Sequence, residues 1–153
     1  ESSPVAGSNE IALIGIDQTN GHCNGWIWNG AVWGNFQELE NSLASVRGYK
    51  CMGLAYEQNS GKAMFTWANY TRVGSREWNG ISWDARLPDI NMGTSNVRMV
   101  SVKADPISNQ LMAITIDAGR NLNSILWNGS SWNTPTLHDT AILSAGTRSA
   151  DCE

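Results

Sequence analysis

The hexapeptide Trp28-Asn29-Gly30-Ala31-Val32-Trp33 returns as Trp78-Asn79-Gly80-Ile81-Ser82-Trp83 and again as Trp127-Asn128-Gly129-Ser130-Ser131-Trp132, at spacings of 50 and 49 residues. A second marker, Arg47, Arg98 and Arg148, keeps the same beat at spacings of 51 and 50. Self-similarity at such a period means repeated supersecondary units, each burying an apolar face against its neighbour. The 153 residues read as one repeat domain with units near 1–46, 47–97 and 98–147, and 148–153 opens a further unit.

Within a unit the signals are those of strands. Arg98 to Lys103 is followed by the turn Asp105-Pro106-Ile107-Ser108-Asn109 and the apolar run Leu111 to Ile116. A third strand is expected at Ser124 to Trp127 and a fourth from Ser131 towards Leu137. The second unit repeats this with Lys50 to Tyr56, Ala63 to Trp67, Arg76 to Trp78 and Ser82 to Leu87. No stretch carries a sustained helical period, and Phe36 to Val46 is the least strand-like. Asn-Gly is a strong two-residue hairpin signal. With that loop Trp28 pairs with Ala31, Trp33 lies two residues on, and Trp26 stands opposite Trp33.

Four short antiparallel strands per unit predict an all-β fold, a β-propeller with three four-stranded blades per chain. The first unit begins at its second strand, since Ile11 to Asp17 matches Met112 to Asp117, and Arg148 to Glu153 supplies only a first strand. The complementary ends predict a homo-oligomer, with a second copy completing a six-bladed ring by strand exchange beside Ile11 to Ile16; tandem copies in a longer polypeptide give the same register.

Composition narrows the function. A net charge of -4 and only three lysines, Lys50, Lys62 and Lys103, exclude a phosphate-binding surface and so nucleic acid. No apolar stretch approaches the ~20 residues of a membrane span. Cys23, Cys51 and Cys152 lack metal-ligand spacing, and Cys51 and Cys152 match Val102 in the other unit, which marks small apolar core positions. The triplets Asn69-Tyr70-Thr71 and Asn128-Gly129-Ser130 permit glycosylation, and an extracellular or cell-surface setting is favoured.

The Trp-Asn-Gly-x-x-Trp hexapeptide and its repeat plan resemble the Trp-Asp-Gly-x-x-Trp signature of the small six-bladed propeller lectins of bacteria and fungi. That resemblance implies sugar sites between neighbouring blades, with Trp28, Trp33, Trp78, Trp83, Trp127 and Trp132 near them. The family's Glu, three residues ahead of the first motif Trp, is absent: Gly25, Ser75 and Ser124 stand there.

Read from the residues alone, the six motif rings either stack against sugar faces or pack blade on blade. Trp26 and Trp67 are not repeated and read as core. The Arg series reads as structural, bonding the adjacent blade. Asp17 and Asp117 match each other with Ala68 in the middle unit, which makes them turn residues. His22 and His138 are unrepeated, so neither catalysis, a metal nor a cofactor is expected. The expected function is a non-catalytic, multivalent, lectin-like binding propeller for glycans. The alternative is a structural module of an extracellular ring or fibre.

Overall fold

Apolar residues alternating with small or polar ones, broken by Asn, Gly and Asp, dictate short strands and tight reversals. In the computed structural model, which describes residues 1–17, 19–42 and 49–142, they form eleven strands and, among those residues, no helix. Sheet I contains β1 (Ile11–Asp17), β2 (His22–Trp28) and β3 (Trp33–Glu40). Sheet II contains β4 (Met52–Tyr56), β5 (Ala63–Asn69), β6 (Arg72–Trp78) and β7 (Ile90–Asn91). Sheet III contains β8 (Val97–Ala104), β9 (Leu111–Asp117), β10 (Leu122–Trp127) and β11 (Thr136–Asp139). Each sheet is an antiparallel meander in chain order. The all-β expectation holds. The four-strand plan holds for sheets II and III, whereas sheet I has three strands and begins at the second.

The sheets stack, and burial records the order. In sheet II, β5 is buried on both faces from Ala63 to Ala68. In sheet III, Asn123, Ile125 and Trp127 of β10 are buried while Leu122, Ser124 and Leu126 are not. In sheet I, Ala12 is buried while Ile11 and Leu13 are exposed. Sheet II is therefore covered on both sides, and sheets I and III each on one. The first strands β4 and β8 abut, with Val100 N–H donating to Lys50 O at 2.8 Å. Among the described residues sheet I has no such strand, and a cleft of about 340 Å³ opens beside β1, lined by Ile14, Met52, Leu54 and Val102 among others. The chain's own start covers one end of that edge: Ser2 bridges Ile11, and Ala12 N–H donates to Glu1 O at 2.9 Å. The segment 148–153 expected on such an edge lies outside the described residues, as does Val46. No helix is long and apolar enough to cross a membrane among the described residues.

Several expectations are corrected. The hairpin loop has four residues, because Trp28 pairs directly with Trp33 and Asn29 N–H donates to Val32 O. The cause is the Asn side chain: Asn29 Oδ1 accepts from Ala31 and Val32 N–H at 3.0 Å, and Asn79 and Asn128 do the same. Trp33 is thus opposite Trp28, and not Trp26. After the second Trp, sheets II and III keep only single bridges, Trp78 to Trp83 and Trp127 to Trp132. The fourth strands expected at Ser82 to Leu87 and Ser131 to Leu137 form later, as β7 and β11; Pro88 and Pro135, which cannot donate to a ladder, interrupt the regular path. Sheet I lacks such a proline, and its β3 runs on through Phe36 to Glu40, the stretch that looked least like a strand.

Gly80 sits at φ 92° with open space where a Cβ would stand, so only backbone conformation demands glycine there. Gly80→Val should destabilise by about 1 kcal/mol or more, whereas Gly34→Ala, at negative φ with nothing within 4 Å of its Cβ, should melt at or above the parent temperature. Thermal melts followed by circular dichroism check both.

Candidate functional site

Because the four-residue loop sets its two flanking residues directly opposite, each hairpin holds its indoles as a tilted pair. Ring centroids are 5.7 Å apart for Trp28 and Trp33, 5.6 Å for Trp78 and Trp83, and 5.5 Å for Trp127 and Trp132. The first member is the buried one in sheets II and III: Trp78 is 2% and Trp127 1% exposed. Trp83 and Trp132 are half-buried at the rim of the sheet junctions. In sheet I, Trp28 is half-buried and Trp33 is 48% exposed. The structure therefore brings the six residues together in pairs, one pair per sheet.

The two buried motif indoles, Trp78 and Trp127, each give the N–H to a carboxylate of the preceding sheet. Trp78 Nε1 donates to Glu10 Oε2 at 2.9 Å, and the Tyr56 hydroxyl donates to the other oxygen at 3.0 Å. Trp127 Nε1 donates to Glu57 Oε1, whose second oxygen accepts the Ser60 hydroxyl. Glu57 is 1% exposed. The outer indoles also cross: Trp83 Nε1 donates to Asn35 O at 2.7 Å and Trp132 Nε1 to Ser75 Oγ at 3.0 Å.

In sheets I and II the residue three places before the first motif Trp lies under the next sheet's outer Trp. A Cβ on Gly25 would stand 2.7 Å from the Trp83 ring, so nothing larger than glycine fits without displacing it. Ser75, at the same place in sheet II, meets Trp132 by hydrogen bond. The position where the lectin signature has its Glu is here covered by an aromatic ring. At the junction rim, Asn79 Nδ2 donates to Asp84 Oδ1 at 2.8 Å and Arg76 Nε to Asp84 O at 2.7 Å, which places amide, carboxylate and guanidinium groups near Trp83 in the fold.

The remaining candidates separate. Trp67 is core, fully buried, with the Arg86 guanidinium 5.2 Å from its ring centroid. Trp26 is not core: it lies half-buried against the exposed Phe36, centroids 5.6 Å apart, on the uncovered face of sheet I. Asp17 accepts from Thr19 N–H and Asn20, and Asp117 from Asn121, as turn residues do. The pairings Ile11 with Trp28, Ala63 with Trp78 and Leu111 with Trp127 put Asn69, and not Ala68, at their place in the middle unit. Cys23 and Cys51 are buried free thiols, and burial pushes the Cys51 thiol up to about 11. Arg98 lies 5.0 Å from the Tyr49 ring centroid. Arg47, Arg148 and Cys152 lie outside the described residues. His22 pairs with Glu38 at 2.9 Å and His138 with the Ser124 hydroxyl at 2.8 Å. No group of three or more His, Cys, Asp or Glu is placed to hold a metal ion among the described residues.

Sequence reasoning missed Glu10 and Glu57. They come from opposite ends of a turn, Glu57 directly after β4 and Glu10 directly before β1, so no fixed spacing from the motif reveals them. One signal was available: Glu57 with Ser60 recurs as Asp105 with Ser108. No protein-family model matches the chain, and no curated protein is detectably similar to it.

Two outcomes follow from these contacts. Trp127→Phe keeps a ring but removes the donor facing buried Glu57, and should cost about 2–4 kcal/mol, whereas Trp33→Phe should cost far less; denaturant unfolding measures both. Glu77 is also buried, and burial raises its pKa above the ordinary 4.5 against the opposing charge of Lys62 at 3.7 Å. The folded chain then binds that proton more tightly than the unfolded chain, so this contribution to stability is present below the ordinary value and is lost as pH rises through the raised one. Glu77→Gln removes that dependence. The melting temperature of the parent minus that of the variant should fall between pH 4 and pH 7.

Proposed function

We propose that the three sheets are blades of a β-propeller, completed to a six-bladed ring by a second copy with exchange of terminal strands. In this reading the ring is a non-catalytic, multivalent binding module, and its ligands are carbohydrates. The observation that carries the reading is the repeated junction: at both blade boundaries an outer motif Trp, Trp83 or Trp132, is left half-buried with its N–H anchored across the boundary. An indole held edge-on in this way is a rigid apolar platform for the C–H face of a sugar ring. The polar groups next to Trp83 in the chain are Asn79 and Asp84, which bond each other, so a sugar hydroxyl would join or replace that bond. The buried Trp78 and Trp127 serve as mortar between the blades. Two like sites per chain, multiplied by assembly, turn weak single contacts into avidity.

The second reading, a structural module of an extracellular ring or fibre, is favoured by the outermost sheets, each of which has one uncovered face with exposed apolar side chains: Leu13, Trp33 and Phe36 on one, Met112 and Leu126 on the other.

Screening the native protein on a glycan array, followed by titration of its tryptophan fluorescence with each hit, separates the two. The lectin reading expects saturable binding, with Trp83→Ala and Trp132→Ala each lowering the number of sites without loss of fold. Absence of any glycan response in the well-folded parent would falsify it and leave the structural module.

A further inference from the structure

We infer that the uncovered faces of sheets I and III are the two halves of a third junction, which a second copy of this chain closes head to tail. The inference rests on the propeller reading for its ring geometry, but not on any ligand. It starts from what the two internal junctions have in common. The later sheet brings a Trp pair. The earlier sheet brings a carboxylate for the first indole, a small residue beneath the second, and an apolar strand face.

Sheet I carries a Trp pair with no such receiver. Trp28 and Trp33 make no hydrogen bond through their indole N–H groups to any described residue, although their rings sit 5.7 Å apart as in the other sheets. Leu13 and Phe36 extend the same face and are 46% and 58% exposed.

Sheet III carries the receiver with no Trp pair. Asp105 stands directly after β8, where Glu57 stands directly after β4, and each accepts the hydroxyl of the serine three residues on, Ser108 and Ser60. Ser124 occupies the place of Gly25 and Ser75. Its hydroxyl lies 2.8 Å from His138 Nε2, and whichever group donates there, the hydroxyl oxygen keeps a lone pair for a second donor. Met112 and Leu126 are the exposed apolar residues of this face.

Superposing the internal pattern on these halves gives the contacts. Trp28 Nε1 donates to Asp105 of the second copy, and Trp33 lies over its Ser124 as Trp132 lies over Ser75. One chain carries both halves on opposite faces, so the contact is heterologous, and it either closes or polymerises. Six blades close the ring at two copies, and each closure completes two junctions built on the same plan as those inside the chain. Trp33 then becomes a rim residue equivalent to Trp83 and Trp132.

Size-exclusion chromatography with light scattering on the intact chain tests this. The expected mass is twice the 16.7 kDa of one chain. Ser124→Arg and Leu126→Glu, both on a face the single chain leaves open, should each give a monomer with the parent's near-ultraviolet circular dichroism. Trp28→Phe, which keeps the ring and removes the donor, should weaken the dimer tenfold or more. A parent that stays monomeric at every concentration, or a dimer that survives both Ser124→Arg and Leu126→Glu, overturns the inference. Glycan binding measured on the same samples is a separate readout: a monomer that binds glycans sinks this junction and spares the lectin reading, and a dimer that binds none does the reverse.

Discussion

Trp127 gives its indole N–H to Glu57, and Trp78 gives its own to Glu10; the rest of the stack is arranged around these two bonds. Apolar burial drives the sheets together without direction. A buried carboxylate is different, because it is costly unless its oxygens are hydrogen-bonded in specific geometry. Buried Glu57 meets that demand twice, through Trp127 and Ser60, and half-buried Glu10 is likewise held twice, through Trp78 and Tyr56. Each pair of bonds fixes one sheet's height and rotation on the next. The outer indoles then fall over Gly25 and Ser75.

That arrangement explains why a hexapeptide so close to a lectin signature is joined to a different residue three places upstream. The room that a Glu would need at Gly25 is taken by Trp83. The carboxylates stand at the turns instead, where they face the inner indole from the adjacent sheet. The same chemical parts, an indole and an acid, are present at each junction, but they bond each other.

The three copies of the hexapeptide made the all-β repeat and its strand order legible, because a turn signal at a fixed period leaves few alternatives. The hairpin's length was not legible. Asn-Gly suggests a two-residue loop from backbone preference, while the extra bonds of Asn29, Asn79 and Asn128 Oδ1 stabilise a four-residue one. That difference of one step per strand decides whether Trp33 faces Trp28 or Trp26. Trp26 was misread as core for a related reason: burial depends on which faces are covered, and period alone does not say that the first sheet has a neighbour on one side only. Glu10 and Glu57 were illegible because they converge from unequal sequence positions onto equivalent points in space.

The double covering of sheet II has a consequence for how the molecule comes apart. Phe65, Trp67 and Met64 have no path to solvent while both neighbours are in place. Within a single chain sheets I and III are each held by one interface, so their loss is the lower-energy opening, and the stability of the lone chain is graded from the ends inwards as in other nearest-neighbour repeat arrays. The middle sheet is then the protected kernel of the lone chain, the part that local opening reaches last.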